Sequence, residues 1–247
     1  MKTSRAAWTA LLILASCVAS YAQAPLRFAR IENIPDQIVG GEILKAVYSR
    51  LNIPIELVDL PAQRALVESS EGRLDGEVQR NINVQKQYPT LLMVQPEINY
   101  IEPSVFSKKY QFEVAGWASI KDYSIGIVRG VGTSEDGTRG MARVLAVTTQ
   151  DQLMLALAGD RFDVAVSDSF SGLVAVKKLG LADQIKVLAP PLQKSTMYHF
   201  LNEKHRDIVP KVEKILMEME TSGELELLRQ QTVEKYLAHL EGTIREK

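Results

Sequence analysis

Short apolar runs of strand character alternate with stretches of helical periodicity, and the alternation runs twice along the chain. That double pattern restricts the fold more than any other feature. Residues 26–31 form a strand run, after which Val39, Ile43, Val47 and Leu51 recur at helical spacing and predict a helix over 37–51 with one buried stripe. Strand character returns at 55–60. Pro61 suits the first turn of a second helix and Gly72 its C-terminal stop, with further strands at 74–78 and 91–94. After a break at 103–117 the pattern restarts: a strand at 124–128, a glycine-bearing stretch at 129–140 and a strand at 144–147. Thr149 and Gln152 make a capping box that opens a helix over 150–158, stopped by Gly159. A strand at 162–166, a helix at 169–179 ended by Gly180, and a strand at 185–188 complete this second unit, which closes at Pro190-Pro191. Repeated strand–helix–strand units imply right-handed crossovers and mainly parallel sheets. Beyond them, Ile208, Val212, Ile215, Leu216 and Met219 share one helical face, Gly223 interrupts, and Leu225, Leu228, Val233, Tyr236 and Leu240 continue in a second helix. The methionine and leucine stripe reads as core packing. The expectation is an α/β protein of two lobes, each a mainly parallel sheet flanked by helices, with a helical tail that packs back on the first.

Residues 1–22 are set apart as an export signal. Lys2 and Arg5 make a positive start, 6–16 an apolar run too short to span a bilayer, and Ser20-Tyr21-Ala22 offers small residues at a cleavage site. A second reading stays open, in which Leu14-Ala15-Ser16-Cys17 is a lipobox and Cys17 carries a lipid anchor. Strand-like sequence from Leu26 leaves little tether for one. Either reading places the chain in the periplasm. Lys2 and Arg5 are the only charged residues among 1–22, so their removal takes the net charge from -1 to -3.

With 46% hydrophobic and 24% charged residues the chain has ample apolar area for a core, which excludes a disordered reading. A slightly negative charge argues against a nucleic-acid binder working through a basic surface. One cysteine and three scattered histidines exclude a disulfide framework and a multi-cysteine zinc site, so no metal and no cofactor is expected.

In open α/β sheets ligands sit beyond the carboxyl ends of strands, so two facing lobes make a cleft and the residues to inspect follow each strand. Glu77, Arg80 and Asn81 follow the third strand. Arg80 is a candidate anchor for a carboxylate through its two-pronged guanidinium; the alternative is that Glu77 and Arg80 pair with each other on the surface. In Arg129-Gly130-Val131-Gly132-Thr133-Ser134, free backbone N–H groups and hydroxyls suit an anion, with Arg129, Thr133 and Ser134 as candidates; a plain glycine turn with a capping hydroxyl competes. Asp168 can receive an ammonium group or can cap the helix that follows. Tyr100 can present its ring to a ligand or be buried in the hinge.

Taken in order, several stretches resemble family 3 of the bacterial extracellular solute-binding proteins, which includes periplasmic amino-acid binders. They are Arg64-Ala65-Leu66, Glu71-Gly72-Arg73-Leu74-Asp75-Gly76-Glu77, Ile125-Gly126-Ile127-Val128-Arg129-Gly130, Arg161-Phe162-Asp163-Val164-Ala165-Val166-Ser167-Asp168, Tyr198-His199-Phe200-Leu201-Asn202-Glu203-Lys204-His205 and Thr221-Ser222-Gly223-Glu224-Leu225. The resemblance implies a two-lobed periplasmic-binding-protein-like fold with a two-strand hinge, lobe 1 being 24–106 plus 195–247 and lobe 2 being 107–194. It implies that Asp168 holds an α-ammonium group and that backbone N–H groups at the lobe 2 helix start help hold an α-carboxylate. Where the family pattern has Thr-x-x-Arg for that carboxylate, this chain reads Asn83-Val84-Gln85-Lys86-Gln87, so Arg80 is left to substitute from a neighbouring position. The implied function is capture of a small polar solute, an amino acid or a relative of one, by a monomer that passes it to the permease of an ABC-type transporter or to a receptor. Two alternatives share the scaffold: a periplasmic dehydratase acting on prephenate or arogenate, with Glu77 as acid or base, and a soluble ligand sensor.

Overall fold

In the computed structural model, which describes residues 24–245 and side chains as far as 240, two sheets are built on one plan. The first unit runs β1 (Leu26–Ile31), α1 (Asp36–Arg50), β2 (Ile55–Leu60), α2 (Ala62–Ser70), β3 (Gly76–Arg80), α3 (Val84–Gln87) and β4 (Leu91–Met93). Two strands follow at the crossing, β5 (Asn99–Ile101) and β6 (Pro103–Ser107). The second unit runs β7 (Ile125–Val128), α4 (Gly132–Gly137), β8 (Val144–Val147), α5 (Gln150–Ala158), β9 (Val164–Asp168), α6 (Ser169–Lys178) and β10 (Lys186–Leu188). The chain then returns through β11 (Ser195–Asn202) and ends in α7 (Val209–Thr221) and α8 (Glu224–Arg245).

The strand order is β2-β1-β3-β11-β4 in the first sheet and β8-β7-β9-β6-β10 in the second. In each, three strands of one direction are followed by a reversed strand and then an edge strand; β11 is antiparallel to β3 and β4, and β6 is antiparallel to β9 and β10. The reversed strands are the two the sequence reading did not place. The sequence pattern shows a break at 103–117 and only helical periodicity near the C-terminus. Pro103 opens β6, where its missing N–H is tolerated, and β6 pairs along its whole length with β9. The chain therefore enters the second sheet at Pro103, ahead of the expected division after Phe106.

β1, β2, β8 and α5 occur at the expected residues, while β3 and β9 start two residues later than expected. Leu74 and Phe162 are buried, but they lie in the approach to the strand rather than in the ladder. Phe162 fills the space above Gly126, where a Cβ would stand 2.3 Å from its ring. Apolar character there reports burial and not strand pairing.

The expected stripe of α1 is buried: Val39, Ile43 and Val47 pack with Phe28, Val78 and Leu201 of the sheet and with Val212, Leu216 and Met219 of α7. Full burial of side chains of this size stabilises by about 1.5–3 kcal/mol each. In the second sheet, Leu153, Met154 and Leu157 of α5 cover one face with Phe106 and Ala165, while Val105, Ile125 and Val166 pack on the other with Val114 and Leu192. Phe170 and Val174 of α6, from the second unit, belong to the hydrophobic cluster of the first. The expected export signal and Cys17 lie outside the described residues.

Candidate functional site between the lobes

The carboxyl end of β3 is shaped by a β-bulge. Phe200 of β11 stands opposite Glu77 and Tyr198 opposite Arg80, so Val78 and Gln79 together face the single residue His199. An extra residue breaks the alternation of side chains along a strand. Glu77 and Arg80, three apart, consequently share a face: Arg80 Nε donates to Glu77 Oε2 at 2.7 Å and Arg80 Nη2 to the Ala62 carbonyl at 2.9 Å. Val78 and Gln79 both reach α1, where a Cβ on Gly40 would stand 2.3 Å from Gln79 Oε1 and 3.1 Å from Val78 Cγ1. The Glu77–Arg80 pair is buried, with 1% and 9% of the side chains exposed, rather than lying on the surface. Burial holds the Glu77 carboxyl above its usual range against the opposing pull of Arg80.

Beneath the bulge, His199 joins two other elements. Its Nδ1 lies 2.7 Å from the Glu77 carbonyl and its Nε2 2.9 Å from the Tyr48 hydroxyl. A carbonyl only accepts, so Nδ1 carries the proton and Nε2 accepts from Tyr48. Complete burial lowers its pKa to about 4, and the imidazole is neutral at pH 7.

Asp168 ends β9 as Arg80 ends β3, at the corresponding place in the second sheet. One oxygen accepts from the Ser171 N–H at 3.1 Å and caps α6; the other accepts from the Glu102 N–H at 3.0 Å, on the crossing chain. Burial raises its pKa. Asp36, at the start of α1, is raised well above the usual range, first by burial and then by the Asp168 charge. Gln79 Nε2 donates to Asp36 at 2.5 Å and Asn99 Nδ2 at 3.0 Å, and Arg229 of α8 donates in turn to Asn99 Oδ1 at 3.2 Å. One acidic helix start from each lobe thus meets at the hinge around a single arginine. Asp36 is not among the sequence candidates, which lie after the strands ending near 78, 128 and 166; its signal is Pro35-Asp36 just after β1. Arg229 and Asn99 had no comparable signal.

The Tyr100 ring lies 3.6 Å from Lys194 Nζ and 3.7 Å from the Arg229 guanidinium carbon, each measured to the ring centre. Two cations that close cannot share one face, so the half-buried ring lies between them. Tyr100 is therefore part of the hinge packing.

Arg129, Thr133 and Ser134 stand apart. Arg129 is exposed, Ser134 is buried and neither hydroxyl caps α4. The Gly130 N–H is taken at 2.8 Å by the Glu135 carboxylate from the first turn of α4, an acid in the place where the sequence suits an external anion. Among the described residues no hydrogen bond or ion pair joins this loop to Arg80 or Asp168. Nor, among them, does any group of three His, Cys, Asp or Glu side chains form a metal site, and no helix is long and apolar enough to cross a membrane.

No family model matches the chain, and no curated protein matches its sequence. Solved structures do match its fold. The ligand-binding core of GluR0 in complex with L-glutamate superposes with a TM-score of 0.72 at 11% identity, over 86% of this chain and 99% of that one. A histidine kinase sensor domain with similarity to periplasmic binding proteins gives 0.67 at 13% identity, over 85% and 96%. The amino acid ABC transporter substrate-binding protein AbpA from Streptococcus pneumoniae, bound to L-arginine, gives 0.66 at 13% identity, over 85% and 94%. At these identities the likeness establishes the two-lobed periplasmic-binding-protein-like fold.

Proposed function

We propose that this chain is an extracytoplasmic solute-binding protein that captures a small polar solute, an amino acid or a relative of one, between its lobes and passes it to the permease of an ABC-type transporter. The observation that carries the reading is the pair of opposite charges at corresponding strand ends, Arg80 closing β3 and Asp168 closing β9. Carboxyl ends of strands are where open α/β sheets bind ligands. A guanidinium in one lobe and a carboxylate in the other suit a solute with an anionic and a cationic end. The lobes are 24–106 with 195–247 and 107–194, adjusted so that β6 joins the second; the leader at 1–22, or a lipid on Cys17, delivers the chain to the periplasm as a monomer.

A non-catalytic role fits the state of Glu77, the residue on which the dehydratase alternative rested. Its carboxylate is turned into the protein onto Arg80 and is 1% exposed. The sensor alternative keeps one support, since a histidine kinase sensor domain is among the structures of the same fold.

Thermal unfolding against amino acids, polyamines, organic acids and small peptides tests the reading, because a ligand that binds only the folded state raises the midpoint with concentration. We expect one solute class to do so and Asp168→Ala to abolish the shift. A panel without any shift, together with turnover of prephenate, would overturn it.

A further inference from the structure

We infer that α8 is a third, non-covalent connection between the lobes, a clamp that holds them in one orientation and has to release α6 before the cleft can open. This goes beyond the binding proposal and does not depend on it.

The covalent connections are the two crossing stretches, around β5 and β6 and from Pro190 into β11. α8 grips both. Its Arg229 donates to Asn99 on β5, and the Arg229 guanidinium and Lys194, which precedes β11, enclose the ring of Tyr100. Glu226, one turn earlier, accepts from the Tyr100 hydroxyl at 3.4 Å. The start of the helix is fixed to lobe 1, where Arg50 of α1 donates to both oxygens of Glu224 at 2.6 Å.

Farther along, the same helix holds lobe 2. Tyr236 meets Phe170 of α6 edge to face, with ring centres 5.7 Å apart. Phe170 and Val174 are buried in the cluster that contains Ile43, Leu44 and Val47 of α1, with Leu228, Val233, Leu237 and Leu240 of α8 packed against it. Rotation about the two crossing strands alone would carry α6 off this surface and expose Phe170 and Val174 to water. The other route carries α8 along with α6 and strips Leu228, Val233 and Tyr236 from α1. Hinge motion therefore involves α8 in either direction. At the hinge end of this junction Asp36 from α1 and Asp168 from the start of α6 both feel the charge of Arg229 from α8, so the helix also supplies a cation to the two acidic helix starts, while Lys177 of α6 and His239 of α8 are titratable groups farther along it.

The test measures interlobe distance in the full chain with Cys17→Ser, carrying spin labels at Lys211→Cys on α7 and Asp183→Cys beside β10. With the clamp intact we expect one narrow distance distribution. Adding Arg229→Ala and Tyr236→Ala should broaden it at least twofold or add a second, longer distance, with far-UV circular dichroism unchanged. An unchanged distribution in the doubly substituted chain overturns the proposal. If that chain does not fold, amide exchange in the unaltered protein decides. Exchange of 169–178 and 224–240 through a common opening at a common rate supports the clamp, and exchange of α6 while α8 stays protected refutes it.

Discussion

Arg80 and Asp168 occupy the same position in two copies of one strand order, the first held by a buried glutamate and the second by the helix it caps. Neither side chain is loose. Each is fixed by its neighbours, so a solute held between them as proposed would cost less ordering on binding.

Removing one partner of the buried Glu77–Arg80 pair leaves a charge without compensation. Glu77→Gln is expected to destabilise the protein by about 3–5 kcal/mol in urea unfolding at pH 7. The double change Glu77→Met with Arg80→Met is expected to lie within about 1.5 kcal/mol of the parent, because well-packed apolar replacements of buried ion pairs are often neutral. Equal losses in the two proteins would mean that the pair matters for its packing and not for its charges.

His199 makes the fold sensitive to acid. Its pKa is about 4 when folded and near 6.5 when unfolded, so its contribution is complete above pH 6.5 and is lost as the pH falls toward 4. The full span corresponds to about 3 kcal/mol. Stability measured at pH 7 and pH 4.5 should fall less in His199→Gln than in the parent, and a parallel fall in both would exclude the histidine as the cause.

Asp36 and Asp168 act with the opposite sign. An acid whose folded pKa is raised favours folding most when protonated, so this contribution is full below pH 3.8 and is lost as the pH rises through the raised values. Asp36→Asn should therefore gain on the parent in stability between pH 4 and pH 7, read from urea midpoints across that range. A constant difference would show that Asp36 does not titrate there.

Gly40 is the point where α1 rests on the bulged strand. A methyl group there would meet Gln79 Oε1 and Val78 Cγ1 inside contact distance. Gly40→Ala should destabilise by about 1–3 kcal/mol despite the better helix propensity of alanine. A gain in thermal midpoint would show that the bulge gives way at little expense.

What the sequence made legible was whatever depends on neighbours. Thr149 caps α5, its Oγ1 accepting from the Gln152 N–H at 3.1 Å, although Gln152 Oε1 reaches back to the Thr148 N–H and not to that of Thr149, so half of the capping box forms; Gly72 and Gly180 take the positive φ angles that end their helices. The α1 stripe and the strand-end charges were equally visible. β6 and β11 were not, because each is defined by partners far along the chain and carries no apolar alternation strong enough to announce a strand. The bulge in β3 was invisible for a related reason: it exists only in the register with β11, and it is what makes partners of Glu77 and Arg80. The hinge cluster escaped because Arg229 reaches Asn99 across 130 residues, and only after α8 has folded back.

The reversed strand of the first sheet carries a consequence for how the molecule is made. β6 to β10 form a contiguous stretch and hold every strand of their own sheet. The first sheet keeps an open slot between β3 and β4 until β11 arrives, with Tyr198 pairing to Arg80 and Phe200 to Met93. A chain emerging N-terminus first thus completes its middle before its beginning. Until residue 202 is through, the edges of β3 and β4 stay unpaired, the kind of surface on which chains join one another by mistake.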